Sequence, residues 1–217
     1  IPVKRGQEPS ANLIFRIVNA DGTFTDATRT VKCTPPTELA PEMLILVSDN
    51  GKKVWKYAAT NSYGNGGHAG SGAEFNGPGV VGGNWWGVAT GDELIDQVQH
   101  AGGAPTGDES SNAYMVFEGN TVTTYGPDGT KIRGGEWTAV MNDYASGAGR
   151  GAAGWELGKL TTSEPAILFP WIINGGGTPA TEFDIMYYDA NNMTLVNTNG
   201  QASGGWGEIT HWVFVRK

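Results

Sequence analysis

Apolar and polar residues alternate near the start of the chain. Leu13, Phe15 and Ile17 fall on one side of an extended segment, and Asn12, Ile14, Arg16 and Val18 on the other, a period of two that predicts a strand. Asp21-Gly22 supplies a turn, and residues 23–33 read as a second, Thr-rich strand with Val31 its clearest apolar position. Three prolines within residues 35–41 make a stiff, extended connector. The expected division is therefore 1–34 as a strand segment too short to bury its own core, 35–41 as linker, and 42–217 as the main domain.

Beyond the connector, residues 43–47 are apolar on both faces and predict a central strand, and 53–57 alternate around Trp55. Residues 62–84 read as a long Gly/Asn loop. A capping box at Thr90-Gly91-Asp92-Glu93 leads into Leu94, Ile95 and Val98, and Gly102-Gly103 stops the run, so the one expected helix lies near 91–101. Residues 114–118 and 121–125 flank Gly119-Asn120 as a hairpin, and further strands read at 130–133, 136–141, 155–160, 166–173, 183–188, 193–196 and 208–215. About ten short strands with Gly-rich turns predict an all-β antiparallel sandwich of the jelly-roll type, with one short helix.

Composition narrows the classes. Glycine is 34 of 217 residues without a three-residue period, which excludes collagen, and eight Trp, seven Tyr and seven Phe exclude a disordered chain. A net charge of −8 with no basic run argues against nucleic acid and anionic membranes as partners. No apolar run approaches the ~18 residues of a membrane span. The opening Ile1-Pro2-Val3-Lys4-Arg5 reads as a mature start or an internal fragment rather than a signal peptide. Cys33, the only cysteine, can form neither an intramolecular disulfide nor a Cys-based zinc site.

The chemistry of catalysis finds little support. Glu182 and Asp184 share a strand face, as acids do in laminarinase-like jelly-roll glycosidases, but Tyr187 or Tyr188 stands where a further acid is needed. His68, His100 and His211 lack metal-ligand spacing, so no metal or other cofactor is expected. The oxygen-rich turns Asp189-Ala190-Asn191-Asn192 and Asp21-Gly22-Thr23 leave room only for a structural calcium. No Gly-x-Ser-x-Gly elbow and no phosphate loop is present.

Aromatic residues offer more. Trp85-Trp86 is an adjacent pair in a Gly-rich stretch, and neighbouring side chains of an extended segment point to opposite sides, so at least one indole is expected at the surface. An exposed indole presents a π face to the C–H face of a pyranose ring. Candidate ligand-binding residues are Trp85, Trp86, Trp137, Trp171 and Trp206, with Tyr63, Asn65, His68, Glu74 and Asn76 for sugar hydroxyls. Trp55, Trp155 and Trp212, on alternating strands, are assigned to the core. Glu136, Glu156 and Glu208 each lie near a Trp, a pairing that non-catalytic sugar sites use.

The run of motifs has a family resemblance. Lys-Val-Trp-Lys at 53–56 is followed by a Gly/His loop ending in Asn-Trp-Trp-Gly at 68–87, Ala-Tyr-Met-Val-Phe-Glu-Gly-Asn-Thr-Val at 113–122 and Gly-Trp-Glu-Leu-Gly-Lys-Leu at 154–160. Phe-Asp-Ile-Met-Tyr-Tyr-Asp-Ala-Asn-Asn-Met-Thr-Leu at 183–195 and His-Trp-Val-Phe at 211–214 complete it. The set resembles the C-terminal jelly-roll module of Bacteroidetes surface glycan-binding lipoproteins. The N-terminal strands resemble the end of a polycystic-kidney-disease-type (PKD) immunoglobulin-like domain. The resemblance implies polysaccharide or oligosaccharide binding at the outer-membrane surface, an anchor upstream of this chain, and other outer-membrane glycan-uptake proteins as partners. A jelly-roll glycoside hydrolase or polysaccharide lyase, and a spacer or adhesin domain without a sugar site, are the alternatives.

Overall fold

The computed structural model describes residues 10–32, 41–67, 75–88, 93, 96, 107–142, 156–175, 177–198 and 207–217. The chain divides into two compact units, Ile1–Ala40 and Pro41–Lys217.

In the first unit, β1 (Ser10–Val18) and β2 (Phe24–Lys32) form an antiparallel ribbon, in register from Ser10↔Lys32 to Val18↔Phe24. Gly22 takes the left-handed backbone (φ 85°) its turn requires, and the Asp21 carboxylate accepts from the Thr23 amide and hydroxyl. Arg16 and Asp26 pair across the ribbon at 2.7 and 2.8 Å. Leu13, Phe15 and Ile17 are all exposed, as are Ile14 and Val18 on the other face.

The second unit opens with a correction. Residues 43–47, expected as a central strand, lie in helix α1 (Pro41–Val47). A short apolar run is compatible with either state, and Pro41 at the first position favours a helix start. Met43, Leu46 and Val47 are buried at helical spacing, and Asn50 and Gly51 in left-handed backbone turn the chain into β3. Of the helix expected near 91–101, only Glu93 and Asp96 are described, both helical. Trp155, His100, Cys33 and residues 35–40 of the connector lie outside the described residues.

The strands are β3 (Lys52–Tyr57), β4 (Tyr63–Gly67), β5 (Asn84–Val88), β6 (Tyr114–Glu118), β7 (Thr121–Tyr125) and β8 (Lys131–Met141). They continue as β9 (Gly158–Thr162), β10 (Glu182–Tyr188), β11 (Asn192–Asn197) and β12 (Glu208–Arg216). All pairings are antiparallel, in the order β3-β6-β7-β8-β9-β10-β11-β12, and β12 returns to β3 through Phe214↔Tyr57. The sheet thus closes into an eight-stranded barrel. Its strand order is a meander, not the Greek-key order of the jelly roll expected from the sequence. β12 is long enough to hold two neighbours on one edge: β3 at Phe214–Arg216, and the inserted β4–β5 hairpin at Glu208–Trp212.

Alternation decides what lies inside. Trp55, Phe117, Trp137, Phe183 and Trp212 are buried within the barrel, joined by edge-on ring contacts such as Phe183–Trp212 at 5.2 Å. Lys52, Lys56, Glu118, Thr121 and Lys159 face outward and are exposed. Helix α1 touches β3, β6 and β8 and so lies across one end. Beneath it the buried Lys53 ammonium donates to the carbonyls of Ile45 (2.6 Å) and Ala190 (2.9 Å).

The other end is filled by chain. Residues 166–173, expected as a strand, instead run as a buried irregular segment through the lumen. A buried loop must satisfy its backbone polar groups, and here the wall side chains do so. Thr124 donates to the Ala166 carbonyl, Trp212 Nε1 to that of Phe169 (2.6 Å) and Tyr63 Oη to that of Trp171 (2.8 Å). The amides of Phe169 and Ile173 donate to Glu109 Oε1 (2.7 Å) and Thr210 Oγ1 (2.9 Å). Phe169 is held in left-handed backbone (φ 57°), a strained state for a large side chain that these two-sided hydrogen bonds maintain. An eight-stranded barrel is just wide enough for side chains, and among the described residues this one is occupied by the buried segment 166–170.

Candidate functional site

The β4–β5 hairpin carries the surface indoles. The sequence reading of 62–84 as loop missed both strands, because Tyr63-Gly64-Asn65-Gly66-Gly67 has no apolar alternation. Its glycines serve close approach. A Cβ at Gly64 would lie 2.2 Å from the Trp86 carbonyl oxygen and 2.5 Å from His211 Cε1. β5 is an edge strand, and Trp85 and Trp86 are 58 % and 37 % exposed.

The ladder is irregular at Trp85: Asn65 pairs with Trp86 and Gly66 with Asn84, so Trp85 is the extra residue of a bulge. Asn65 pairs with Trp86 on one side and Thr210 on the other, so Trp86 shares a face with Asn65, Thr210 and Glu208. Asn65 is buried, and its Nδ2 donates to Glu208 Oε1. Asn174, from the segment following the lumen loop, donates to the same oxygen at 2.5 Å. Trp171 is half-buried in that segment, bridged to Pro179, with its indole N–H buried and without an acceptor among the described residues. One carboxylate therefore gathers amides from two elements at the barrel end, beside an exposed indole.

Other expected residues are placed differently. Tyr63 is fully buried, its hydroxyl spent on the Trp171 carbonyl, and burial raises its pKa well above that of free tyrosine. Trp137 is a core residue, edge-on to Phe117 at 5.3 Å, with Nε1 donating to the Gly119 carbonyl (3.1 Å). Both move from the rim to the interior, because period-two alternation puts them on the inner face of their strands. Asn76 is exposed. His68, Glu74 and Trp206 lie outside the described residues. Trp55 and Trp212 are fully buried, as assigned. Asn174, unremarked in the sequence, joins the cluster only through the fold.

The acids of the glycosidase alternative face the outer wall of β10. Glu182 is exposed, and Asp184 pairs with Lys159 at 2.7 Å. The calcium candidates are closed by their own donors: Asp189 accepts from the Asn191 and Asn192 amides at 2.7 and 2.8 Å, which holds its carboxyl below the ordinary carboxylate pKa against the opposing effect of burial. Among the described residues no group of three or more His, Cys, Asp or Glu could hold a metal ion.

His211 lies directly beneath the hairpin. It pairs with Gly64, is fully buried, and neither ring nitrogen has a hydrogen-bond partner among the described residues. Burial lowers its pKa from 6.5 to about 4, opposed by a contact with the Asn61 backbone that falls short of hydrogen-bond geometry. On the same outer face, Phe75 packs with Met186, Val196 and Ile209, so the stretch leading into β5 is pinned to β10–β12.

No protein-family model matches the chain, and no curated protein sequence matches it.

Proposed function

We propose that Pro41–Lys217 is a non-catalytic carbohydrate-binding module that takes a polysaccharide or oligosaccharide on the Trp86 face of the β4–β5 hairpin. The observation that carries this reading is the indole, 37 % exposed, on the same face as the Asn65–Glu208–Asn174 cluster. A sugar ring needs a flat apolar surface for its C–H face and directional acceptors and donors for its hydroxyls. Trp86 offers the first and the carboxylate with its two amides the second. In this reading the module sits at the bacterial outer-membrane surface, anchored by a region outside this chain and working beside other glycan-uptake proteins.

Affinity electrophoresis against a panel of polysaccharides, followed by calorimetry on any binder, tests the proposal. Stacking of a ring on an aromatic side chain contributes ~1–3 kcal/mol by analogy with bases, so Trp86→Ala is expected to weaken binding about tenfold or more. Glu208→Gln should weaken it too. Thermal melts of each variant report whether the fold is kept. Absence of binding to every polysaccharide would leave the spacer reading, and release of reducing ends would favour a glycosidase.

A further inference from the structure

A second arrangement of rings and cations lies on the outer wall of β3, β6 and β7, away from the hairpin face. The register places Lys52 beside Glu118, Val54 beside Val116 and Lys56 beside Tyr114. It continues with Tyr114 beside Tyr125 and Tyr125 beside Lys131. The Tyr114 and Tyr125 rings stack at 5.3 Å with 19° between their planes. Lys217, tied to β3 by its amide donating to the Val54 carbonyl (2.9 Å), holds its ammonium 3.7 Å from the Tyr114 ring centroid. Lys52, Val54, Tyr114, Val116, Tyr125 and Lys217 line a groove of about 490 Å³.

Charge sets this face apart. The chain as a whole carries −8, yet Lys52, Lys56, Lys131 and Lys217 converge here and are all exposed. Glu118 stands 3.6 Å from Lys52, an exposed and solvent-screened pair that leaves the ammonium available. The floor is apolar, from Val54 and Val116, and one side is the Tyr114–Tyr125 pair, with the Lys217 ammonium over the Tyr114 ring. An inorganic anion would use the lysines and waste the floor. A neutral sugar would use the floor and waste the lysines.

We propose that this groove binds an acidic sugar, a uronic acid residue of an acidic polysaccharide. Its C–H face lies over Val54 and Val116 against the Tyr114–Tyr125 stack, and its carboxylate meets the ammonium groups of Lys52 and Lys217. The site is independent of the hairpin face and stands whether or not Trp86 contributes to binding.

The test uses the full chain carrying Trp86→Ala, so that the hairpin face does not contribute, and calorimetry with trigalacturonate as the probe. Binding is expected, weakening as ionic strength rises, with maltotriose at least tenfold weaker. Adding Lys52→Gln and Lys217→Gln, both surface changes, should reduce affinity at least tenfold with an unchanged melt. Tyr125→Ala should also reduce it, and sulfate at equal concentration should not displace the sugar. No binding by the Trp86→Ala chain, unchanged affinity in the double-lysine variant, or equal affinity for maltotriose overturns the proposal. Unchanged affinity in Tyr125→Ala, or displacement by sulfate, overturns the assignment to a sugar ring.

Discussion

Acidification should act on this protein through His211. The side chain is fully buried against Gly64, without a hydrogen bond among the described residues, and its pKa falls from 6.5 to about 4. The folded-state value is therefore depressed below that of the unfolded chain. As pH falls through about 6.5 the unfolded state takes up the proton first, and stability declines until the folded state is protonated too, near pH 4. A fall from 6.5 to about 4 implies a full loss on the order of 3 kcal/mol. That is a large share of the ~5–15 kcal/mol that stabilises ordinary domains. Carboxylates also titrate in this range, so the measurement is a difference. Urea unfolding, followed by tryptophan fluorescence, is compared for the native chain and His211→Leu between about pH 7.5 and about pH 4.5. At neutral pH the variant should be as stable or more so, because it removes two buried polar atoms that lack partners. At about pH 4.5 the native chain should have lost ~2–3 kcal/mol more than the variant. Parallel stability curves across the range would refute the reasoning. Since His211 lies beneath the β4–β5 hairpin, hydrogen exchange in β4 should be the first to accelerate on acidification.

Three further outcomes follow from the packing. Glu109 is buried in a bidentate pair with Arg133 (2.7 and 2.5 Å) and accepts from the Phe169 amide, so Glu109→Ala strands a buried charge and should cost ~3–5 kcal/mol in urea unfolding. Gly64→Ala drives a methyl into backbone and imidazole and should destabilise by ~1–3 kcal/mol, with near-ultraviolet circular dichroism reporting displaced tryptophans. Trp137→Ala should cost ~3–5 kcal/mol as a core deletion. Any folded fraction of that variant, isolated by size exclusion, should bind polysaccharide with unchanged affinity, since Trp137 lies inside the barrel.

Much of the architecture is legible in the order of residues, for a physical reason. Strand side chains alternate, so a wall with one apolar and one polar face writes itself as period two. This is why β1, β3, β6, β7 and β12 and the antiparallel all-β class can be read directly, and why Trp55 and Trp212 can be assigned to the core. The expectation that at least one of Trp85 and Trp86 reaches the surface also holds, both being exposed, although the ladder is bulged at Trp85. Where periodicity is silent, the sequence decides nothing. Five consecutive apolar residues fit strand or helix, and Pro41 at the first position together with packing against β3, β6 and β8 selects the helix at Pro41–Val47. The apolar stretch 166–173 reads as a strand, yet its backbone is satisfied by side chains of Glu109, Thr124, Thr210 and Trp212, partners distant in sequence that exist only once the wall has formed. Closure into a barrel is likewise a long-range pairing, β12 with β3, that no local pattern encodes. The sites share this division. Indoles and carboxylates announce their chemistry one by one, but that Asn65, Glu208 and Asn174 meet beside Trp86, or that four scattered lysines surround two stacked tyrosines, is decided by strand register in three dimensions.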